Sequence, residues 1–422
     1  MRVLHVIPGL GARTGGPAVV AVQMALALRS AGIKVTIAAT DLAGSASAKT
    51  RRRGTWDDFV PDVRRVDVRL FQLRHPYRVC FSPGLERFLA REAAAYDVLH
   101  SHSLYLFPHM AAYVRARGAR VPYVVSPHGA LHHALRSRGA TRKAVVDVLW
   151  QRRMLEQAAA IHVTSLGEKR QISDLAPGVP RVIVPNIVPA PTRGGDGESF
   201  RRRYVHGTRA PIALFLGRVS RRKNVDQILE AFAKTRSDAH LVVAGPDDEE
   251  LTPSLLRLAE ALGISDRVKF TGMLGSDEKL DAFAAADVFV TASAAENFGL
   301  ALVEAMASGV PPVVSCALDI APEIEAAGAG RLAVPTADGL ARELGQLLSN
   351  RAMRAATAVA AQRFARQYQP AHITPRLVEL YEMATSAIMG RTAGSVRPVS
   401  RAIHRTSRRT SGLRVRGRPN ER

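Results

Sequence analysis

Short apolar segments alternate with longer helical segments along most of the chain. Residues 1–8, 121–125 and 286–291 are apolar runs of strand length, whereas residues 18–28 and 300–308 have the length and composition of helices. This alternation predicts parallel strands joined by helices. We therefore predict an α/β protein with two Rossmann-like parallel-sheet domains that face each other across a cleft.

Length and local composition indicate where these domains begin and end. The 422 residues are too many for one ordinary core, and 47% of them are hydrophobic, as is typical of soluble globular chains. We predict a first domain over 1–188, a linker rich in Pro and Gly over 189–206, and a second domain over 207–368. Residues 394–422 contain nine Arg and one acid and predict a disordered basic tail.

Two carboxylates eight residues apart are the first candidate site. Glu296 follows the predicted strand 286–291, and Glu304 lies inside the predicted helix 300–308. Eight residues span about 12 Å in a helix, which is close to the distance from sugar to ribose across a diphosphate. Carboxylates bind vicinal hydroxyls, and a helix N-terminus favours phosphate. The alternative is a helix with one solvated Glu near each end.

A basic loop follows another predicted strand in the same half. Arg218 comes directly after the strand and its Gly, and Lys223 follows five residues later. A planar guanidinium and a mobile ammonium can together neutralise a diphosphate leaving group. The alternative is an ordinary solvated loop.

The first strand leads into a glycine loop over residues 9–17. A dinucleotide-binding G-x-G-x-x-G motif would need Gly where Thr14 stands, so a nicotinamide or flavin site is poorly supported. Gly15 and Gly16 allow the loop backbone to approach a bound ligand closely. A plain tight turn is the alternative.

Two histidines follow predicted strands of the first half. His102 and His128 should lie at the carboxyl ends of parallel strands, where ligands bind. His102 is a candidate for contact with the second substrate, the acceptor, and local packing or hydrogen bonding is the alternative. His132 and His133 have no acidic or Cys partner at ligand spacing, so we predict no metal site.

Acidic residues give no further evidence of a metal site. The chain contains no D-x-D triplet, which is a common motif for binding a metal together with a diphosphate. The acids at 247–250 precede a predicted helix, where a structural role at the helix N-terminus is expected.

These motifs resemble, in order, those of the retaining, nucleotide-sugar-dependent glycosyltransferases of family 4, which have the GT-B fold. The resemblance covers about residues 1–390 and is carried by Gly217-Arg218 with Lys223, residues 242–245, residues 268–272 and the run from Glu296 to Glu304. It implies a helix over 369–393 that crosses back to the first domain. Asn186-Ile187 and residues 317–319 depart from the family pattern.

The resemblance also assigns roles to residues. It implies that Glu296 contacts the transferred sugar, that Glu304 contacts the ribose, and that Arg218 and Lys223 contact the diphosphate. His128 would lie near the reacting carbon. Other donor-binding positions would be Asn297, the main-chain amides of Phe298, Gly299 and Leu300, the loop at Gly15 and Gly16, and Gly272 with Met273 near the base. It further implies retention of configuration without a metal or other cofactor.

The net charge of +22 is unevenly spread. Residues 1–205 contain 31 basic and 14 acidic side chains, residues 206–393 contain 19 and 22, and residues 394–422 contain nine and one. An anionic membrane surface, or a polyprenyl-diphosphate-linked acceptor in it, is the expected partner of the basic first domain and tail. A coding bias is the alternative, because Arg outnumbers Lys by 51 to eight.

Targeting signals and cysteines suggest the compartment. No apolar run approaches the roughly 18 residues that span a bilayer, and the start lacks a convincing signal peptide. Cys80 and Cys316 lie in different halves, so a disulfide is not expected. We expect a cytoplasmic enzyme at the inner face of the plasma membrane.

Three functions follow from these observations. The first is glycosyl transfer from a nucleotide-sugar donor to a glycan or lipid-linked acceptor, in bacterial surface-polysaccharide synthesis. An epimerase or hydrolase of the same fold would consume the donor without an acceptor. Nucleic-acid binding is not expected, because the basic regions lack interleaved aromatic residues.

Overall fold

The first half of the chain folds around one parallel sheet. The computed structural model describes residues 1–43, 56–131, 150–235 and 237–393. Seven strands form the first sheet, in the order β3-β2-β1-β4-β5-β6-β7. They are β1 Arg2–Gly9, β2 Lys34–Thr40, β3 Asp67–Phe71, β4 Val98–His102, β5 Tyr123–Ser126, β6 Ala160–Val163 and β7 Arg181–Ile183. Each pair of neighbouring strands is parallel.

A second parallel sheet of six strands follows, in the order β10-β9-β8-β11-β12-β13. Its strands are β8 Ile212–Leu216, β9 His240–Ala244, β10 Val268–Gly272, β11 Val288–Thr291, β12 Pro312–Ser315 and β13 Arg331–Ala333. All the side chains of β11 are buried, as expected for a strand covered on both faces. The predicted α/β fold with two Rossmann-like sheets is confirmed.

Helices cover both sheets. Within the described residues of the first half, the helices are Gly16–Ser30, Pro83–Glu92, Phe107–Ala119, Arg152–Glu156 and Leu166–Gln171. Those of the second half are Gly197–Val205, Val225–Lys234, Thr252–Ala261, Ser276–Ala285, Leu300–Ala307, Ala321–Ala326, Ala337–Ser349, Arg351–Ala365 and Pro370–Ala393. Separate buried clusters lie on the two faces of each sheet, which gives each half its own core.

Two segments between and after the sheets define how the halves are connected. The segment 189–206, predicted as a linker, contains the helix Gly197–Val205, which buries Phe200 and packs on helix Ser276–Ala285. The sequence did not predict this helix, because Pro and Gly are frequent before residue 198 and the helix buries only Phe200 and Val205. Helix Pro370–Ala393 packs on helix Gly16–Ser30 and buries Tyr381 in the core of the first half.

Some sequence predictions concern residues outside the described ranges. The Arg cluster at 51–53, His132, His133, most of the basic stretch from 136 to 153 and the tail at 394–422 lie there. Among the residues that the structure does describe, no helix combines the length and apolarity that crossing a bilayer requires.

Candidate active site

The carboxyl ends of the two sheets meet at the glycine loop that follows β1. Gly15 has φ +103°, a conformation that favours glycine. A Cβ atom at Gly15 would lie 3.4 Å from a guanidinium nitrogen of Arg218, and one at Gly16 would lie 3.2 Å from a side-chain carbon of Leu300. The loop therefore touches the end of β8 and the start of helix Leu300–Ala307. Gly15, Gly16, Arg218 and Leu300, which were predicted separately, line one cleft.

Asp248 connects the two halves at this point. Its Oδ2 accepts a hydrogen bond from Arg218 Nη1 at 2.8 Å, and its Oδ1 accepts one from Arg13 Nη2 at 2.7 Å. The Asp248 side chain is only 2% exposed. Arg218 also donates to the carbonyl oxygen of Arg13 at 3.0 Å. The guanidinium predicted for the diphosphate is thus held at the edge of the cleft by a buried carboxylate.

Neighbouring Asp247 does what the sequence predicted for the acidic run. Its carboxylate accepts hydrogen bonds from the amides of Leu251 and Thr252 at 2.9 and 2.7 Å, at the start of helix Thr252–Ala261. Asp247 therefore has the structural role expected at the helix N-terminus, whereas Asp248 holds two arginine side chains instead. The two neighbouring carboxylates thus have different partners: that of Asp247 binds helix amides, and that of Asp248 binds guanidinium groups.

Glu296 is paired with Lys223. Lys223 Nζ lies 2.6 Å from Glu296 Oε2, and Ser293 Oγ donates to the same oxygen at 3.1 Å. Burial tends to raise the pKa of Glu296, but the charge and hydrogen bond of Lys223, together with Ser293 and Arg222, hold the pKa below its ordinary value. Glu296 is therefore ionised at neutral pH and accepts hydrogen bonds.

The helix between the two carboxylates begins at the cleft. Gly299, with φ +76°, precedes helix Leu300–Ala307, so the first free amides of the helix lie beside Glu296. The ring of Phe298 is buried against Tyr368, with centroids 5.0 Å apart, which leaves only its main chain for a ligand. Glu304 lies further along the helix and accepts a 2.7 Å hydrogen bond from Lys279 Nζ.

The loop after β10 lies at the outer edge of the second sheet. Gly272 has φ +71°, and its carbonyl oxygen accepts a 2.8 Å hydrogen bond from the amide of Gly245. Met273 is 48% exposed. An exposed apolar side chain at this position provides a surface on which a planar base could lie, but it does not select one base.

His128 lies in the opposite wall, directly after β5. Its φ of +49° is uncommon for a residue other than glycine and requires support from its surroundings. A Cβ atom on the next residue, Gly129, would lie 2.3 Å from Asn297 Oδ1, so only glycine fits there. The loop carrying His128 and the turn carrying Asn297 are therefore in contact across the cleft.

Buried Glu168 supports this loop from below. Its Oε1 accepts a 3.0 Å hydrogen bond from the amide of Gly129, and its Oε2 accepts bonds from the amide and hydroxyl of Thr164 at 2.8 and 2.9 Å. Burial raises the pKa of Glu168 despite these bonds. Across the interface, Asp319 accepts a 2.7 Å hydrogen bond from Gln171 Nε2. Burial and the nearby carboxylate of Glu168 raise the pKa of Asp319 to about 7.

A row of buried side chains lies behind His128, which we call the histidine chain. It consists of His128, His102, His5, Tyr381, His100, Ser126 and His162 and ends at the carbonyl oxygen of Val184. Apart from half-buried His128, its members are at most 2% exposed. His102 in particular is fully buried between His128 and His5, which favours the alternative of local hydrogen bonding over contact with the acceptor. It hydrogen-bonds locally, because the carboxyl end of β4 lies under the β5 loop.

Three of these histidines also lie close enough to be considered as metal ligands. His5, His100 and His102 each have a ring nitrogen within 4.8 Å of the others. Both ring nitrogens of each are already within hydrogen-bond distance of another member of the histidine chain. These three histidines are therefore explained by hydrogen bonding.

Sequence reasoning missed several of the side chains that complete the cleft. They are Arg13, Asp248, Lys279, Glu168 and Asp319. Each of them contacts a residue that is distant in the chain, and the spacing of residues in the sequence does not predict such contacts. Only the acidic run at 247–250 stood out in the sequence, and the helix that follows it accounted for its composition.

Comparison with known proteins matches both halves of the chain to glycosyltransferase families. Residues 15–186 match the model of a "glycosyl transferase 4-like domain", and residues 196–364 match that of "glycosyl transferases group 1". A protein of Mycolicibacterium smegmatis named D-inositol 3-phosphate glycosyltransferase is 30% identical over 80% of this chain and 76% of its own length. The protein of that name from Mycolicibacterium gilvum is 31% identical, over 64% of this chain and 60% of its own length.

Solved structures agree in fold. HepE from Anabaena, in complex with UDP and glucose, superposes with a TM-score of 0.73 at 19% identity, covering 90% of this chain and 99% of HepE. WaaG, a glycosyltransferase involved in lipopolysaccharide biosynthesis, superposes with a TM-score of 0.63 at 17% identity, covering 92% of this chain and 100% of WaaG. At such identities the likeness establishes the GT-B fold alone.

Proposed function

The chain belongs to the group 1 glycosyl transferases, family 4, with the GT-B fold, and we propose that it transfers a sugar from a nucleoside-diphosphate donor to a phosphate-bearing acceptor. The observation that carries this proposal is the meeting of both sheets at one cleft, where Gly15 and Gly16 face Arg218 and Leu300. Such a cleft can enclose a donor between two walls. The UDP and glucose bound to HepE support a donor of this class.

In the proposed complex, the donor lies along the turn from Glu296 to Glu304. Glu296 binds hydroxyls of the sugar, and Glu304 binds the ribose. Arg218, Lys223 and the amides of Phe298, Gly299 and Leu300 bind the diphosphate. These groups stabilise the charge that develops as the bond between sugar and phosphate breaks.

We propose that the reaction proceeds with retention at the reacting carbon. Glu296 is held by Lys223 at 2.6 Å and is a positioning group rather than a nucleophile. A departing phosphate oxygen would accept the acceptor's proton as the acceptor attacks from the same face. Proton NMR of the glycosidic product, with its anomeric proton compared with that of the donor, distinguishes retention from inversion.

The proposed reaction needs no metal, because cationic side chains and helix amides neutralise the leaving group. Turnover in the presence of EDTA should equal turnover without it. Loss of activity on chelation, with recovery on adding a divalent cation, would reject this part of the proposal.

For the acceptor, charge is the main guide. The first half carries the basic excess, and a groove of about 660 Å³ at the amino ends of its strands is lined by basic residues. They are Arg2, Arg29, Lys34, Arg64 and Arg65. We propose that the basic first half contacts the anionic inner surface of the bacterial plasma membrane and that the acceptor, which must reach the cleft at the carboxyl ends of the strands, is a lipid-linked diphosphate used in surface-polysaccharide assembly. The names of the mycobacterial relatives suggest the other source of the same chemistry, a phosphorylated polyol.

The experiment that tests this function is a donor-consumption assay with both kinds of acceptor. The wild type should consume one nucleotide sugar in proportion to glycosylated product, whereas Glu296→Gln and Arg218→Ala should consume far less. Glu260→Gln and Arg257→Ala, which change exposed residues of helix Thr252–Ala261, are the matched controls. Equal consumption by all five proteins would reject the site, and consumption without any acceptor would favour an epimerase or hydrolase.

A further inference from the structure

The histidine chain forms one uninterrupted path of hydrogen bonds. His128 Nε2 lies 2.9 Å from His102 Nδ1, and His102 Nε2 lies 2.8 Å from His5 Nδ1. His5 Nε2 lies 3.2 Å from the hydroxyl of Tyr381, which lies 2.8 Å from His100 Nδ1. The path leads from the cleft to the helix that packs on the first domain.

The second part of the path ends on the backbone. His100 Nε2 lies 2.6 Å from Ser126 Oγ, and Ser126 Oγ lies 2.7 Å from His162 Nδ1. His162 Nε2 lies 2.7 Å from the carbonyl oxygen of Val184. This last atom can only accept a hydrogen bond, so it gives the whole path a direction.

All five imidazoles in the path are neutral at physiological pH. Burial is the largest cause in each case, and neighbouring imidazoles add to it for most of them. The pKa values of His5 and His128 fall to about 3, that of His162 falls to about 4, and those of His100 and His102 fall well below the ordinary value. A neutral imidazole has one N–H group and one bare nitrogen. Each histidine therefore donates once and accepts once.

The direction can be followed from Val184 to the middle of the path. Because the Val184 oxygen accepts, His162 carries its proton on Nε2, and its Nδ1 must accept from the Ser126 hydroxyl. The Ser126 oxygen then accepts from Nε2–H of His100. His100 Nδ1 is therefore bare and accepts from the hydroxyl of Tyr381.

The same reasoning continues to the cleft. The Tyr381 hydroxyl donates its proton to His100, so its oxygen accepts from His5 Nε2–H. His5 Nδ1 is therefore bare and accepts from His102 Nε2–H. His102 Nδ1 in turn accepts from His128 Nε2–H. His128 is left with a bare Nδ1.

We propose that the histidine chain fixes the tautomer of His128 so that this residue offers a bare Nδ1 to a hydroxyl of the donor sugar. This inference rests on the proposed function. It makes His128 a hydrogen-bond acceptor in the ground state and excludes it as a proton donor to the leaving group. The other members are positioning residues, which act on the substrate only through His128.

The fixed tautomer selects a sugar by its hydrogen bonding. A sugar with a hydroxyl opposite His128 can donate to Nδ1, whereas a deoxy sugar leaves that nitrogen without a partner in a partly desolvated site. A freely exchanging imidazole would present its N–H for part of the time and discriminate less. The buried chain thus provides specificity without placing a charge beside the sugar.

The first test reads the tautomers directly in the full-length protein labelled with ¹⁵N-histidine. Long-range ¹H–¹⁵N spectra near pH 7 should give all five imidazoles the limiting shifts of a pure Nε2–H tautomer, distinct from the averaged shifts of a free imidazole. One member of the chain in the Nδ1–H form, or with averaged shifts, would overturn the proposal. The measurement needs no substrate, so its failure is separate from failure of the proposed function.

Tyr381→Phe provides the second test, because it removes one hydroxyl from the middle of the path. His100 and His162 stay anchored to Val184 and should keep pure Nε2–H shifts. In this variant His5 Nε2–H has no acceptor. If His5, His102 and His128 all change to the Nδ1–H tautomer, no N–H group within the path is left without an acceptor, so the shifts of these three should leave the pure Nε2–H values. A uniform response of all five, or none, would contradict the proposal.

Activity and a matched control complete the test. Loss of one neutral hydrogen bond to the sugar should lower kcat/KM for the donor by roughly 3- to 10-fold in Tyr381→Phe. Tyr113→Phe removes another buried hydroxyl of the same domain, which donates to Gln157 Oε1 at 2.6 Å outside the histidine chain, and should retain wild-type activity and tautomers. If Tyr381→Phe does not fold, Ser126→Ala interrupts the path at another link and should free His100 as well.

Discussion

Lys223 Nζ lies 2.6 Å from Glu296 Oε2, so the cation proposed for the diphosphate and the acid proposed for the sugar are bound to each other. Their side chains are 16% and 25% exposed. Removing one member of a largely buried ion pair leaves the other charge uncompensated. A change at either residue therefore affects both the stability of the site and the charge available to a donor.

Lys223→Met should alter the pH dependence of stability. The native pKa of Glu296 is lowered, so the wild type gains stability from this group above its unfolded pKa of about 4.3 and loses it as pH falls through the lower native value. Lys223 is the largest cause that lowers this pKa, so the native pKa should rise when Lys223 is removed. Melting temperatures between about pH 3 and pH 7 should therefore show a loss in the variant at neutral pH that disappears in acid. Lys234→Met removes an exposed pair with Asp338 and serves as the control.

Glu296→Gln and Glu304→Gln should differ in their kinetics. Glu296 precedes the first free amides of its helix, where the proposed complex places the developing charge, whereas Glu304 lies further along the helix beside Lys279. We expect Glu296→Gln to lower kcat and Glu304→Gln mainly to raise KM for the donor. Loss of a hydrogen bond to a charged group should change the affected constant, kcat or KM, by about 10- to 100-fold. Steady-state kinetics with varied donor would contradict these roles if the two profiles were the same.

Asp248→Ala should destabilise the protein more than Arg13→Ala. Asp248 is 2% exposed and binds two guanidinium groups, whereas the side chain of Arg13 is 44% exposed. An exposed ion pair is worth less than about 1 kcal/mol, but removing a buried acid takes one carboxylate partner from Arg218 and Arg13 at once. Melting temperatures should fall in the order Glu250→Ala, Arg13→Ala, Asp248→Ala, with exposed Glu250 as the control. A fall for Asp248→Ala no larger than that for Arg13→Ala would show that Arg218 does not depend on it.

Asp319→Asn should stabilise the protein under mildly alkaline conditions. The native pKa of Asp319 is raised to about 7, so its protonated form favours folding, and the wild type loses this stability as pH rises toward and through that value. The amide stays neutral and avoids the carboxylate of Glu168. A change of 1 kcal/mol in stability shifts the melting temperature by about 2–4 °C. The melting temperature of the variant should therefore be measurably higher than that of the wild type at pH 8, and the two should be nearly equal near pH 4. Exposed Asp338→Asn should not reproduce this pattern.

Binding to anionic vesicles should depend on the basic groove and the tail. Co-sedimentation with phosphatidylglycerol vesicles should decrease in Lys34→Ala/Arg64→Ala and on removal of residues 394–422, because each basic side chain near such a surface contributes about 1 kcal/mol. High salt should weaken binding, and phosphatidylcholine vesicles should bind little. Arg257→Ala/Arg351→Ala removes the same charge from exposed positions of the second half and should bind like the wild type.

The sequence predicted the fold better than the connections within the site. The strand before Glu296 and the helix ended by Gly309 follow from local periodicity and glycine conformation, and the structure has β11 and helix Leu300–Ala307 there. The roles of Asp248 and His102 depend on what lies opposite them in the folded chain. Asp248 meets Arg13 from 235 residues away, and His102 meets His5 from 97 residues away. No spacing rule reports such pairs.

The most direct test of the central claim is binding of a nucleotide sugar, measured by thermal shift with UDP-, GDP-, ADP- and TDP-sugars. At a donor concentration 100 times the Kd, binding adds about 2.7 kcal/mol, which corresponds to a shift of roughly 5–10 °C. We predict such a shift for the wild type with at least one donor and a much smaller one for Arg218→Ala. No shift with any of the four donors, or an equal shift in the variant, would contradict the proposed donor site.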